Sequence, residues 1–287
     1  MERPVISFLT DFGPDGPAAI CRGVMLGIAR DAQIVDLGHG VRKYAIADGA
    51  YLLESAVPYL PVGVHVAVVD PGVGTERRPI AIRAARGDAL VGPDNGLLVA
   101  AAEALGGIEE ARLLANRELM LPVASSTFHG RDIFAPIAAY LATGTPFAAV
   151  GPVVPTADLV RLPAPRLEVG SAELRTEVIY VDSFGNVRFG ATPADLERAI
   201  GPLEPGRPVV VEFEAANGTD PAIEQTAWQV TFGRVPAGGS LLFRDSLGRV
   251  ALADNQADAA ARLGVAPGRA VRVTGGGARC RVRSSRS

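Results

Sequence analysis

Hydrophobic and polar positions follow two different textures along the chain. Up to about residue 150, short apolar runs alternate with stretches of helical spacing. "PVISFLT" is a β-rich run ending in Asp11, Phe12 and Gly13, residues 18–29 ("AAICRGVMLGIA") read as a helix, and "QIVDLG" reads as a second strand. Residues 46–60 have helical spacing, and "VGVHVAVVD" is apolar almost throughout, as expected of a strand covered on both faces. "DALVGPDNG" supplies a further strand and turn, residues 96–105 a helix, and "IFAPIAAYLATG" a buried helix ending at Gly144. Strands alternating with helices predict an α/β fold with a largely parallel sheet.

Beyond residue 151 that alternation is lost. "GPVVPTADLVRLPAPRLEVG" is rich in proline and has no sustained period, which reads as a linker. After it come "ELRTEVIYVDSFGNVRF", "RPVVVEFE", "AWQVTFGRV", "GSLLFRDSLGRVALA" and "RAVRVTG", short β-runs separated by glycine or proline turns. Such spacing predicts a small antiparallel barrel or sandwich. The expected organisation is an N-terminal α/β sandwich domain over residues 1–160 and a linker over 161–170. A smaller antiparallel, β-barrel-like domain over 171–278 and a frayed basic tail over 279–287 complete it.

Composition narrows the function classes. Apolar residues make up 48% of the 287 and aromatic residues only 6%, so the cores are built mainly of Val, Leu, Ile and Ala. The formal charge of −3 is spread along the chain and gives no electrostatic footprint for nucleic acid or an anionic membrane. With two cysteines, Cys21 and Cys280, a disulfide scaffold is not expected; a reducing, cytoplasmic setting is. The opening "MERPVISFLTDFG" turns polar too soon for a signal peptide, and no long apolar span is expected to cross a membrane.

Polar residues gather where an open α/β sheet would bind a ligand, beyond the carboxyl ends of its strands. Asp11 follows the first strand and Asp70 the third, each trailed by glycine in "TDFG" and "DPGVGTERR". A carboxylate beside such permissive backbone can approach ribose hydroxyls, a cation or an arginine closely, although each Asp is also a ready cap for a following turn. "DPGVGTERR" lacks the Lys-Ser/Thr of a phosphate loop and the third glycine of a dinucleotide fingerprint. The three histidines, His39, His65 and His129, are too far apart in sequence for a standard zinc set, and no metal site is expected. Taken alone, His129 is as consistent with a hydrogen-bonded core histidine as with a catalytic one.

"TDFG", "VDLGHGV", "VVDPGVGTERR", "GPDNGLL", "TFHGRDIFAPIAAYLATG", "YVDSFGNV" and "ALADNQ" occur in this order. Together they resemble the S-adenosyl-L-methionine (SAM) hydrolase family, the SAM hydroxide adenosyltransferases, relatives of the fluorinase and chlorinase. The resemblance runs from about residue 5 to 275. It implies hydrolysis of SAM to adenosine and L-methionine by attack of water or hydroxide on the ribose C5′, with neither metal nor cofactor. The family's Asp, Arg and His triad falls on Asp70, Arg77 and His129, where His129 would hold or deprotonate the attacking water. The resemblance further assigns Asp11 to the ribose hydroxyls, Tyr44 to an aromatic beside the ligand, and Phe128 to the wall of the reacting pocket. In the second domain it assigns Asp182 and Asn186 to the methionine moiety and nucleoside, and Phe184 to a stack on adenine. Ser246 falls at the methionine carboxylate, and Asn255 lies in the segment whose backbone reads the adenine edge. It also implies a homotrimer with active sites shared between subunits.

Two departures bear on the reaction. Gly130 stands where the halogenases carry a serine for halide, and the extra fluorinase loop after "DPGV" is missing. Both favour hydrolysis over a SAM-dependent halogenase. A third reading, a SAM- or adenosine-binding sensor without turnover, is at odds with the complete triad. Leu247 and Asp254 stand where the fluorinase has arginines, so the carboxylate clamp is expected to be built differently.

Overall fold

The computed structural model describes residues 3–276 apart from 124, 216, 217 and 219. The basic tail expected at 279–287 and Cys280 lie outside the described residues. The chain divides into two compact units, with the boundary between Pro163 and Ala164.

In the first unit, six strands form one sheet: β1 (Val5–Thr10), β2 (Gln33–Gly38), β3 (Val64–Val68), β4 (Pro79–Ala84), β5 (Ala89–Pro93) and β6 (Ile108–Leu113). Their order is β2-β1-β3-β5-β4-β6. Pairing is parallel from β2 to β5, while β4 is antiparallel to both β5 and β6. Helices α1 (Pro17–Ile28) and α4 (Ala135–Ala142) cover one face, and α2 (Ile46–Ala56) and α3 (Val99–Ala104) the other. The largely parallel sandwich read from the periodicity is therefore present. β4 and β6 carry charges inside their runs ("PIAIRA", "IEEARL") and left no clear apolar signal.

The near-continuous apolar character of β3 follows from its central place, where all five residues are buried. One polar residue in it needs a partner. The His65 ring is fully buried, with Nδ1 2.8 Å from the Ser7 hydroxyl and Nε2 2.9 Å from Asp88. Asp88 also accepts from the Gly63 amide and from Arg86, so the buried polar groups satisfy one another. His65 is thus a core histidine. Serine, histidine and aspartate stand in the order of a nucleophilic relay, but Ser7 has no surface through which a substrate could reach it.

The second unit is antiparallel throughout its named strands. β7 (Glu168–Val169), β8 (Glu173–Val181), β9 (Val187–Phe189), β10 (Pro208–Phe213), β11 (Ala222–Ala227), β12 (Ser240–Arg244), β13 (Val250–Asp254) and β14 (Ala270–Gly275) form an eight-stranded sheet. Its order is β11-β10-β14-β8-β9-β13-β12, with β7 on β8. A bridge from Trp228, just past β11, to Leu242 of β12 brings the two end strands together and makes the sheet barrel-like. Phe189, Phe213, Trp228 and Leu252 are among the residues of its core. The strand expected in "AWQVTFGRV" lies earlier, in "AIEQTA", and Phe232–Arg234 form a 3-10 turn. Helix α5 (Pro193–Ile200), which the β-pattern hid, begins at a capping box between Thr192 and Asp195. A short helix, α6 (Ala259–Leu263), is capped by Asp258. Among the described residues no helix is long and apolar enough to cross a membrane.

Burial pushes the Asp88 carboxyl up, but hydrogen bonds from His65, Arg86 and Gly63 outweigh it and hold Asp88 well below the usual carboxylate range. A depressed native pKa means this stabilisation is complete above the unfolded value of about 3.9 and is lost as pH falls below it. Asp88→Ala is expected to cost roughly 3–5 kcal/mol, the range for removing one partner of a buried ion pair. It would be read as a lower urea midpoint at unchanged slope; a midpoint equal to that of wild type would contradict this account.

Candidate active site

The triad is built by two loops that need each other. Asp70 lies two residues past β3, and the chain turns back at once through "PGVG". The turn is closed by the Val73 amide on the Asp70 carbonyl and the Thr75 amide on the Gly72 carbonyl. Gly74 has φ +78°, and a Cβ there would stand 2.6 Å from the carbonyl oxygen of Ser126, so only glycine lets this turn approach the histidine loop. The turn delivers Arg77 back onto Asp70: Nε donates to Oδ1 at 3.0 Å, and Nη2 donates to Oδ2. Both side chains are nearly buried, at 7% and 5% exposure.

The same Nη2 lies 3.0 Å from His129 Nδ1. A guanidinium only donates, so Nδ1 is the acceptor and the neutral ring carries its proton on Nε2. Burial lowers the His129 pKa from its ordinary value, and the adjacent Arg77 charge lowers it further. Burial raises that of Asp70, against the pull of Arg77. Arg77 Nη1 is buried and has no hydrogen-bond partner, and the guanidinium carbon sits 5.4 Å from the Phe134 ring centroid.

His129 is placed by a loop with its own internal ties. Buried Asp132 accepts from the Ser125 amide at 2.8 Å and pairs with Arg131, and the Ser125 hydroxyl accepts from the Phe128 amide at 2.9 Å. Residues Gly130–Phe134 form a single π-helical turn ahead of α4, an irregularity that recurs at functional sites. Arg131 lies over the Phe128 ring, and Phe128 meets Phe12 edge to face. The "GPDNG" segment, by contrast, is structural: Asn95 donates to the Val69 carbonyl, and buried Asp94 binds Arg78 and the Val160 amide.

Asp11 stands at the end of β1, with Oδ2 accepting from the Tyr44 amide at 2.9 Å. Tyr44 holds φ +66°, an uncommon conformation for a residue with a side chain, and its ring is 70% exposed. His39, unassigned by the sequence reading, links the Thr10 hydroxyl to Asp36 and so braces the loop that carries Asp11.

The five residues singled out in the second unit line one cavity of about 790 Å³: Asp182, Phe184, Asn186, Ser246 and Asn255. Asp182 is occupied by its own turn, accepting from the amides of Phe184 and Asn186 and from the Asn186 side chain. The turn leaves Phe184 77% exposed. Asn255 commits its amide, its carbonyl and its side chain to Gly239, Gly238 and Val235. Any backbone contact to an adenine edge therefore falls to its neighbours, among them Gln256 with φ +59°. Asp254, one of the two positions at which a differently built clamp was expected, is paired with Arg262. Sequence reasoning missed Arg188, whose guanidinium joins Asp182 at 3.2 Å to Asp245 at 2.7 Å. Its only sequence signal is a charge inside the β-run "NVRF". Among the described residues no group of three or more His, Cys, Asp or Glu is arranged to hold a metal ion.

The hydrogen-bond assignment sets a sign that NMR can check. His129 in the full-length protein is expected to titrate below the ordinary value of about 6.5, and Arg77→Met is expected to raise its pKa by removing the adjacent charge. A pKa above 6.5 in the wild type, or one unmoved by the substitution, would contradict the assignment.

Models of the SAM hydroxide adenosyltransferase N-terminal and C-terminal domains match residues 6–151 and 176–272. A protein from Salinispora arenicola named (R)-S-adenosyl-L-methionine hydrolase is 46% identical over 276 residues, covering 96% of this chain and 99% of the relative. One of the same name from Thermus thermophilus is 37% identical over 280 residues, covering 94% and 99%. A fluorinase from an Actinoplanes species is 30% identical over 223 residues, covering 69% and 74%. The crystal structure of an uncharacterized conserved protein from Thermotoga maritima superposes with a TM-score of 0.84 at 32% identity, covering 94% and 99%. Matched through both of its units, the chain belongs to the SAM hydroxide adenosyltransferase family.

Proposed function

We propose that this protein hydrolyses SAM, as the (R)-sulfonium epimer named for its relatives, to adenosine and L-methionine. The observation that carries the reading is the Asp70–Arg77–His129 arrangement, in which Arg77 holds the carboxylate and His129 Nδ1 and so leaves the Nε2 proton of His129 as a donor. Water or hydroxide held by that proton would present a lone pair to C5′. The new O–C5′ bond forms as the C5′–S bond breaks, and its electron pair stays on sulfur as the neutral thioether of methionine. The sulfonium needs no proton to leave, and the proton of the attacking water passes to solvent.

In this arrangement His129 holds the nucleophile rather than deprotonating it, because Nδ1 is occupied by Arg77. Water with a pKa of about 15.7 gains more from the positive guanidinium, which favours hydroxide character, than from an imidazole of lowered basicity. Positioning in line with the leaving sulfur contributes up to about 7–11 kcal/mol. The second unit supports the nucleoside and amino-acid ends of the substrate. Phe184 offers an exposed face to adenine, Ser246 and Arg188 line the same cavity and would meet the methionine carboxylate, and Asp182 and Asn186 shape the turn that carries Phe184. Asp11 keeps Oδ1 for a ribose hydroxyl while Oδ2 holds Tyr44. A homotrimer with active sites shared between subunits, and a cytoplasmic location, belong to the same reading.

The test is incubation of the purified protein with each SAM epimer in halide-free buffer containing EDTA, followed by mass spectrometry. Equal amounts of adenosine and methionine are expected from the (R) epimer and none with His129→Ala; unconsumed SAM would refute the proposal. Activity is expected to persist below pH 6.5 and fall as His129 protonates, since protonated Nδ1 can no longer accept from Arg77. Asp11→Ala is expected to raise KM by roughly tenfold, the equivalent of one hydrogen bond to a charged group at about 1.5 kcal/mol, with kcat less affected. An unchanged KM would remove Asp11 from ribose binding.

A further inference from the structure

The space beside the triad is shaped by a residue that none of the preceding roles includes. Gly130 follows His129 directly, and a Cβ built on it would stand 3.0 Å from Phe12 Cζ, 3.4 Å from Phe12 Cε2 and 3.5 Å from Phe128 Cε2. The edge of the Phe12 ring thus occupies the space that a side chain at position 130 would take. That ring is fixed from several directions. It meets Phe128 edge to face at 5.7 Å and Phe8 at 6.5 Å. Its own amide donates to the Thr10 hydroxyl, and the next amide, of Gly13, donates to the His39 carbonyl.

We infer that Phe12 is a specificity-determining residue that reserves the position beside His129 for water. This rests on the hydrolase reading and adds to it the selection of the nucleophile. In the hydrolase reading the nucleophile is held by His129, the residue next to Gly130, and the rings packed against Gly130, Phe12 and Phe128, offer no hydrogen-bond donor. A larger anion there would have to displace the Phe12 ring and would lie against hydrocarbon without replacement for its hydration, which is costly. Shortening Phe12 opens room beside Gly130 without removing the His129 donor. Azide is then able to enter: its terminal nitrogen bonds to C5′, the C5′–S bond breaks, and the electron pair remains on sulfur as methionine. No proton moves in that step, and the product is 5′-azido-5′-deoxyadenosine.

The experiment compares full-length wild type, Phe12→Ala and Phe12→Leu, each given SAM and sodium azide, with the ratio of azidodeoxyadenosine to adenosine read by mass spectrometry. The ratio does not depend on how much of each variant is folded. It is expected to rise at least about tenfold in Phe12→Ala, the selectivity that a methylene-sized change in an apolar pocket provides, and less in Phe12→Leu. Gly130→Ala is expected to slow adenosine formation, and adding Phe12→Leu to recover part of it. A ratio equal to wild type in Phe12→Ala overturns the inference, as does a double variant no faster than Gly130→Ala. If Phe12→Ala does not accumulate, an unchanged ratio in Phe12→Leu overturns it as well. Wild type that forms no adenosine overturns the hydrolase reading and this inference with it, whereas adenosine with an unmoved ratio overturns this inference alone.

Discussion

The three-way division of the Arg77 guanidinium is the constraint on which the first unit's site depends. Two nitrogens hold Asp70, one of them also holds His129, and the third is left buried with nothing in the protein to bind. An arginine is suited to this because its fork is planar and its charge is never lost near neutral pH. A lysine could pair with Asp70 but could not hold both carboxylate oxygens and the imidazole at set angles at once. The charges are also balanced in a particular way. Arg77 opposes the upward push of burial on Asp70 and adds to its downward push on His129, so the ionised carboxylate and the neutral imidazole are the forms that fit together.

That geometry is costly to assemble, and the surrounding loops bear the cost. Asp70 and Arg77 come from the two ends of a glycine-rich turn, His129 from a segment braced by Asp132 and Ser125, and the two meet where Gly74 passes the Ser126 carbonyl. Neither segment is held by its own local structure alone. Each is anchored to the parallel sheet, the first by β3 and the second by α4, whose buried face packs on β1 and β3. The carboxyl ends of β1 and β3 are therefore a site because the sheet is rigid below them and the backbone above is free to turn.

Legibility in the sequence followed how far each feature depends on local pattern. The α/β unit and the antiparallel unit were visible in their periods, and strands such as β3 and β14 fell where the apolar runs put them. β4, β6 and α5 were not visible, because charges interrupt the first two and a β-rich context surrounds the third. The motifs pointed to Asp70, Arg77 and His129, which the fold does bring together. Spacing alone could not reveal their tautomer, the spare nitrogen of Arg77 or the Phe12 ring against Gly130, since each arises from contacts between segments distant in sequence. Asn255 shows the opposite limit: the motif singled it out, but its amide, its carbonyl and its side-chain nitrogen are engaged with the segment ahead of β12.

The acidic residues of the two units share one logic, and it bears on how the protein selects its substrate. Asp70 holds Arg77, Asp132 holds the histidine loop, Asp182 and Asp245 hold the turns on either side of Arg188, and Asp258 caps α6. Almost every carboxylate near the sites is thus engaged by donors of the protein itself. What remains to meet a ligand is what these carboxylates hold in place: one imidazole N–H, exposed aromatic faces and turn backbone. A surface of that kind discriminates by shape and by hydrogen-bond direction more than by bulk charge. In the second unit's cavity Asp182 and Asp245 are held against Arg188, and Asp254 against Arg262, so the carboxylates that line it are neutralised by the guanidinium groups they brace rather than left free to bind a cation directly.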